Sequence, residues 1–169
     1  MREHVVLVVG APGAGTTTAI NVVSELARTE DPSDDLDYGE IALGPEERLR
    51  LYGAPGGKRF DFMWSILRQR AVGLVVLVRN DGPDPVAELE GALEEYRGVR
   101  ERGAVVIGIT HSDDVPSPTP ADYERVVAAI APEAPAPVFT LDPRRRDQLV
   151  TMLSVLAANV DSRAMFLGR

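Results

Sequence analysis

A glycine-rich segment near the amino terminus, Gly10-Ala11-Pro12-Gly13-Ala14-Gly15-Thr16-Thr17, most constrains what this chain can fold into. It fits the pattern G-x-x-x-x-G-K-[ST] at every fixed position except the lysine, where Thr16 stands. The β-branched run His4–Val9 precedes it and a segment with helical spacing follows, which predicts strand, loop and helix in that order. Such a loop presents backbone N–H groups and a helix amino terminus to a phosphate. The sequence therefore predicts a phosphate-binding loop without its lysine; the alternative is a glycine-rich turn with no ligand.

Composition limits the classes of protein that remain. At 169 residues the chain has the length of a single domain, which we assign to residues 1–169. A net charge of -8 argues against nucleic acid and anionic membranes as partners. The chain has no cysteine and only two histidines, so a zinc site is not expected. The apolar run Val5–Val9 is too short for a signal peptide or a membrane span, and we predict a cytoplasmic protein.

Buried strands alternate with helices along the rest of the chain, which predicts a mostly parallel sheet covered on both faces. A hairpin is expected from residues 40–43 and 48–52. Further strands are predicted at residues 73–78, 104–109 and 138–141, and helices at 17–27, 60–70, 84–102, 119–131 and 143–159. Ligands of such sheets bind at the carboxyl ends of the strands, where the glycine loop lies.

Two more segments fall at that same edge. The first is a second glycine-rich loop with the residues around it, Leu51-Tyr52-Gly53-Ala54-Pro55-Gly56-Gly57-Lys58-Arg59-Phe60-Asp61-Phe62-Met63-Trp64, and the second is Thr110-His111-Ser112-Asp113. Together with the first loop they resemble the P-loop NTPases of the small Ras-like GTPase class, and in particular the bacterial branch related to the gliding-motility and polarity GTPase. The resemblance covers nearly the whole chain and implies a Ras-like sheet with one antiparallel edge strand.

The resemblance implies a site for GTP or GDP with Mg²⁺. The phosphate-binding positions it implies are Gly10, Gly13, Ala14, Gly15, Thr16, Thr17, Thr18 and Gly56. Thr17 and, in a loosely aligned loop, Ser33 would hold the metal. Asp113 would accept two hydrogen bonds from the guanine ring, with Thr110, His111 and Leu141 completing the guanine-binding set.

Departures from the family pattern set the expected activity. Thr16 replaces the phosphate lysine, Gly53 replaces the aspartate of the D-x-x-G motif, and Gly57 replaces the glutamine that orients water. Intrinsic hydrolysis is therefore expected to be weak or absent, since one preorganised donor is worth roughly 3–4 kcal/mol in such a site. His111 replaces the lysine that packs on guanine, and its imidazole ring can stack there.

Lys58, the sole lysine, or its neighbour Arg59 could supply the missing charge; the alternative is that both are solvated loop residues. The same choice between function and structure holds for Trp64 and Met63, which follow the second loop and are either core residues or partner contacts. Asp34, Asp35 and Asp37 have the spacing of a metal cluster, but an acidic loop is the better interpretation.

Three functions follow from these features. The first is a guanine-nucleotide switch whose state is read by a protein partner. The resemblance implies a dimeric roadblock-type partner. The second is a pseudo-GTPase that keeps the fold as an interaction module and binds no nucleotide. The third, a P-loop phosphotransferase, lacks its lysine and leaves Thr110 to Asp113 unexplained.

Overall fold

One six-stranded sheet organises the protein. The computed structural model describes residues 1–26, 36–53, 61–113, 115–132, 134 and 136–166. The strand order is β2-β3-β1-β4-β5-β6, and β2 is an antiparallel edge strand beside an otherwise parallel sheet. The strands are β1 Arg2–Gly10, β2 Asp37–Ala42, β3 Glu47–Gly53, β4 Gly73–Arg79, β5 Ala104–Thr110 and β6 Val138–Thr140. The predicted α/β class, the hairpin and the antiparallel edge are confirmed.

Helices cover both faces of this sheet. They are α1 Thr16–Val23, α2 Asp61–Arg70, α3 Pro85–Glu95, α4 Arg97–Arg102, α5 Pro120–Ile130 and α6 Arg146–Phe166. The apolar faces of α1 and α6 pack on one side of the sheet, and α2 to α5 pack on the other, so two apolar cores form. Strands β4 and β5 are buried almost throughout, as continuous apolar strands of a covered parallel sheet should be. Within the described residues, every helix is too short or too polar to cross a bilayer.

Helix ends differ from the prediction where side chains of other elements intervene. Helix α1 stops at Val23 because the Ser24 hydroxyl accepts hydrogen bonds from the Glu40 amide at 3.1 Å and the Leu26 amide at 3.2 Å. The helix predicted over residues 84–102 is interrupted at Tyr96, whose ring is buried against Trp64. Helix α6 continues beyond residue 159 because Arg163 donates to the carbonyls of Gly103 and Glu101.

Trp64 is a core residue, whereas its neighbour Met63 is not. The Trp64 side chain is 2% exposed, and its indole N–H donates to the Tyr96 hydroxyl at 3.1 Å. The two rings meet edge to face with centroids 6.4 Å apart. Met63 is 54% exposed on the same helix. Substitutions at Trp64 and Met63 therefore distinguish the loss of core packing from the loss of a surface side chain.

We predict that Trp64→Ala lowers the free energy of unfolding by about 3–5 kcal/mol, because it leaves a cavity and removes the hydrogen bond from the indole N–H to the Tyr96 hydroxyl. Met63→Ala, the matched control, should change it by no more than about 0.5 kcal/mol. Urea unfolding followed by circular dichroism measures both. Equal losses in the two variants would contradict the assignment of Trp64 to the core.

Candidate functional site

The first glycine loop ends in a helix amino terminus without a side-chain cap. Gly15 is the cap residue of α1, with φ 106°, and no acidic residue lies in the first turn. Among the described residues, the backbone amides of Thr16, Thr17 and Thr18 have no hydrogen-bond acceptor. Uncapped amides and the helix dipole together favour an anion at this end of α1.

Two glycines of the loop are required by its geometry. A Cβ atom at Gly10 would lie 2.7 Å from the Leu77 carbonyl oxygen, since the loop leaves β1 directly beside β4. Gly15 has a left-handed backbone, and a Cβ atom there would lie 2.8 Å from Pro143 Cγ. The loop therefore packs closely on β4 and on the chain that follows β6.

A cavity of about 920 Å³ opens over the loop, within the size range of small-molecule sites. It brings together most of the predicted site residues: Gly10, Gly13, Gly15, Thr16, Thr17, Thr18, His111, Asp113 and Leu141. Ala14 and Thr110 are fully buried and do not line the cavity. The predicted site residues Ser33, Gly56, Lys58 and Arg59 lie outside the described residues.

Thr110 joins the two motifs physically. Its hydroxyl donates to the Ala14 carbonyl at 3.0 Å, which ties the end of β5 to the glycine loop. His111 Nδ1 lies 2.9 Å from the same hydroxyl oxygen. His111 has a left-handed backbone, with φ 56°, and the chain turns there so that Asp113 lines the cavity with an exposed carboxylate.

The far wall of the cavity follows β6. The Leu141 amide donates to the Ile109 carbonyl at 3.0 Å, and the Asp142 amide donates to the Gln148 side chain at 2.7 Å. The guanidinium of Arg144, and then its backbone amide, hold the pKa of Asp142 at about 2. Asp142 is therefore an anion at neutral pH, and its charge is already paired with Arg144.

Two side-chain pairs beside the predicted site were not anticipated. The Thr17 hydroxyl donates to the Asp37 carboxylate at 2.6 Å, across 20 residues of sequence. On the other side, Arg79 pairs with both carboxylate oxygens of Asp81, a residue that lines the cavity. Hydrogen bonding from Arg79 lowers the pKa of Asp81.

Sequence patterns offered only a partial signal for these pairs. Asp37 belongs to a run of acidic residues that favours a loop, and nothing in the run marks it as the residue that would reach Thr17. Arg79 ends an apolar strand, where a charged residue indicates the exposed edge of the sheet but no particular contact. Tertiary structure brings both side chains to the glycine loop.

Comparison with solved structures identifies the fold. The chain matches the Arl6 (BBS3) small GTPase from Trypanosoma brucei, solved with the bound nucleotide analogue GppNp, with a TM-score of 0.73 at 14% sequence identity. The match covers 96% of this chain and 99% of that one. The described architecture and this likeness together define a small-GTPase, Ras-like fold.

Sequence comparisons add less. No protein-family model matches the chain. A curated relative, the uncharacterized protein MJ1339 of Methanocaldococcus jannaschii, is 31% identical over 84 residues. That alignment covers 47% of this chain and 54% of the relative, so the chain spans about half the length of the curated relative it matches.

Proposed function

We propose that this protein is a small Ras-like regulatory protein that binds GDP and GTP and hydrolyses GTP weakly or not at all. The observation that carries the proposal is the cavity itself. The uncapped amides of α1 and the Asp113 side chain border the same cavity. A phosphate group and a guanine ring need these two kinds of partner in one pocket.

The charges around the cavity indicate that an anionic ligand would need a bound cation beside it. Asp81, Asp113 and Asp142 line the cavity. Among the described residues two arginines line it as well, and these form ion pairs, Arg144 with Asp142 and Arg145 with Asp147. A nucleotide's phosphates would meet backbone amides but no lysine at position 16. We therefore expect guanine-nucleotide affinity below that of a loop with its lysine.

Oxygen ligands for Mg²⁺ are present at the loop. Mg²⁺ prefers oxygen ligands and is usually held by one or two carboxylates together with substrate phosphates. Thr17 supplies a hydroxyl and Asp37 a carboxylate 2.6 Å away, so the residues present fit the metal. When bound, Mg²⁺ would neutralise phosphate charge. Ser33, the other predicted metal ligand, lies outside the described residues.

Weak hydrolysis follows from residue identity. Water attack on GTP needs an oriented nucleophile and stabilisation of the developing charge on the phosphate. Gly57 has no side chain to orient water, and Thr16 has no charge. A regulatory role through protein contacts is consistent with this loss, and a roadblock-type dimer stays our prediction for the partner.

Titration calorimetry tests the proposal. Purified protein, stripped of nucleotide, is titrated with GDP, GTP and ADP, each with Mg²⁺ and with EDTA. We expect heat with the guanine nucleotides and none with ADP. Absence of heat with every nucleotide would instead support the pseudo-GTPase, a function that the replacement of the phosphate lysine by Thr16 favours. A preference for ADP would overturn the role of Asp113.

A further inference from the structure

The Asp37 carboxylate lies beside the first turn of α1, where it accepts a hydrogen bond from Thr17. We propose that Asp37 is the carboxylate of the Mg²⁺ side of the site and takes the place of the side chain that Gly53 lacks. This inference rests on the proposed nucleotide binding and names the residue that couples that binding to the metal. Asp37 begins β2, the antiparallel edge strand, and not the strand that carries the second glycine loop.

Strand register explains how Asp37 reaches this position. In the β2–β3 ladder Asp37 lies directly opposite Gly53, the last residue of β3. A Cβ atom at Gly53 would be 3.6 Å from the Asp37 Cβ atom, but only 2.8 Å from Ile20 Cδ1 in the buried face of α1. Position 53 therefore leaves no space for a side chain unless Ile20 shifts. The acidic group comes from the neighbouring strand, with its Cβ atom 3.6 Å from the position that a Cβ atom at Gly53 would occupy.

The contact with Thr17 gives the pair its chemistry. The Thr17 hydroxyl lies in the first turn of α1, and its proton is donated to Asp37 at 2.6 Å. A hydroxyl oxygen and a carboxylate oxygen held this close can both face one small divalent cation. The carboxylate can also orient the hydroxyl toward a cation, in the way that outer groups commonly position metal ligands. In both cases, loss of the Asp37 charge should weaken Mg²⁺ binding and leave the phosphate-binding amides in place.

Release of a fluorescent GDP derivative, followed by stopped flow at increasing Mg²⁺, tests this assignment. For the unaltered protein we expect Mg²⁺ to slow GDP release. In Asp37→Asn the Mg²⁺ concentration for half-maximal slowing should rise roughly 10–100-fold, as is typical when a group supporting a metal ligand is lost. Release in EDTA should stay within about twofold of the unaltered protein, because the backbone amides are untouched.

Asp161→Asn is the matched control, since Asp161 pairs with Arg2 at the opposite end of β1. It should leave the Mg²⁺ midpoint unchanged. An unchanged midpoint in Asp37→Asn, or GDP release that ignores Mg²⁺ in the unaltered protein, would overturn the role of Asp37 and leave nucleotide binding standing. Failure of the unaltered protein to bind GDP at all would overturn both. Release in EDTA shows that the variant is folded.

A separate contact concerns the charge missing at position 16. We infer that Arg79 supplies a cation to a phosphate bound at the first glycine loop. Its Nη1 atom lies 2.8 Å from the position that a Cβ atom at Gly13 would occupy, so the guanidinium is against the glycine loop. Nε and Nη2 are held by the two oxygens of Asp81, and within the described residues Nη1 donates no hydrogen bond. The Arg79 side chain is 41% exposed.

Comparing the binding of pyrophosphate and guanosine shows whether Arg79 contacts phosphate or only supports the structure of the loop. By calorimetry, Arg79→Ala should bind pyrophosphate and GDP roughly tenfold more weakly, the usual size of one charge-assisted hydrogen bond. Its affinity for guanosine, which has no phosphate, should be unchanged, and Arg79→Lys should recover part of the loss. Arg125→Ala, which breaks a similar surface pair with Asp122 on α5, is the control and should bind all three ligands normally.

Equal loss of guanosine and pyrophosphate binding would mean that Arg79 only supports the loop, and would overturn the inference. Unchanged pyrophosphate affinity in Arg79→Ala would do so too, as would an unaltered protein that binds no pyrophosphate. Guanine recognition is tested separately, by the binding of guanosine and GDP to the unaltered protein. Failure of this inference is therefore distinct from failure of the proposed function.

Discussion

Replacing Thr16 with lysine is expected to strengthen GDP binding by roughly 10–150-fold, the equivalent of one charged hydrogen bond of about 1.5–3 kcal/mol. Thr16 is the first residue of α1, beside amides with no acceptor among the described residues, and it lines the cavity. An ammonium group there would add the one full charge that the loop lacks. Calorimetry with GDP in the presence of Mg²⁺ measures the gain.

Asn21→Lys is the matched control, because it adds the same charge to the exposed side of α1. It should change GDP affinity by less than about twofold, since an exposed charge is screened by solvent and salt. If Thr16→Lys fares no better than this control, the pocket is not arranged around a diphosphate, and the pseudo-GTPase gains support.

Removing the Asp113 carboxylate is expected to weaken GDP binding at least 100-fold, since two hydrogen bonds to a charged acceptor contribute about 1.5–3 kcal/mol each. Asp113 is exposed at the cavity wall, so Asp113→Ala removes no core contact. The affinity for pyrophosphate, which has no base, should stay the same. Competition with a fluorescent GDP derivative measures both ligands.

ADP is the internal control for this second substitution. The unaltered protein should discriminate strongly between GDP and ADP, and Asp113→Ala should bind them about equally. Retention of GDP preference in the variant would assign guanine recognition to another group. Thermal unfolding should be unchanged, because the Asp113 side chain is exposed.

Much of the architecture could be predicted because the signals are local. Continuous apolar runs at β4 and β5 identify buried strands, and the proline at the start of α3 marks a helix start. The ends of helices were less predictable. The stop at Ser24 and the interruption at Tyr96 depend on contacts with β2 and α2, which no local spacing reveals.

The candidate site divides in the same way. Motif spacing placed the glycine loop and Asp113 at one edge of the sheet, and the cavity contains both. The Thr110 hydroxyl that joins them, at 3.0 Å from the Ala14 carbonyl, crosses 96 residues of sequence and could not be read from either motif. Roles in nucleotide binding for all of these residues stay predictions.

By itself the sequence determined the order of strands and helices and the identity of the groups at the loop, including a threonine where a lysine is expected. These depend on residue type and on spacing along the chain. Tertiary structure decided which distant side chains stand beside those groups. Asp37 lies opposite Gly53 only because β2 and β3 pair in one antiparallel register, and Arg79 meets Gly13 only because β4 lies next to β1. Register and strand order are properties of the folded sheet, so the charged side chains beside the glycine loop become visible only there.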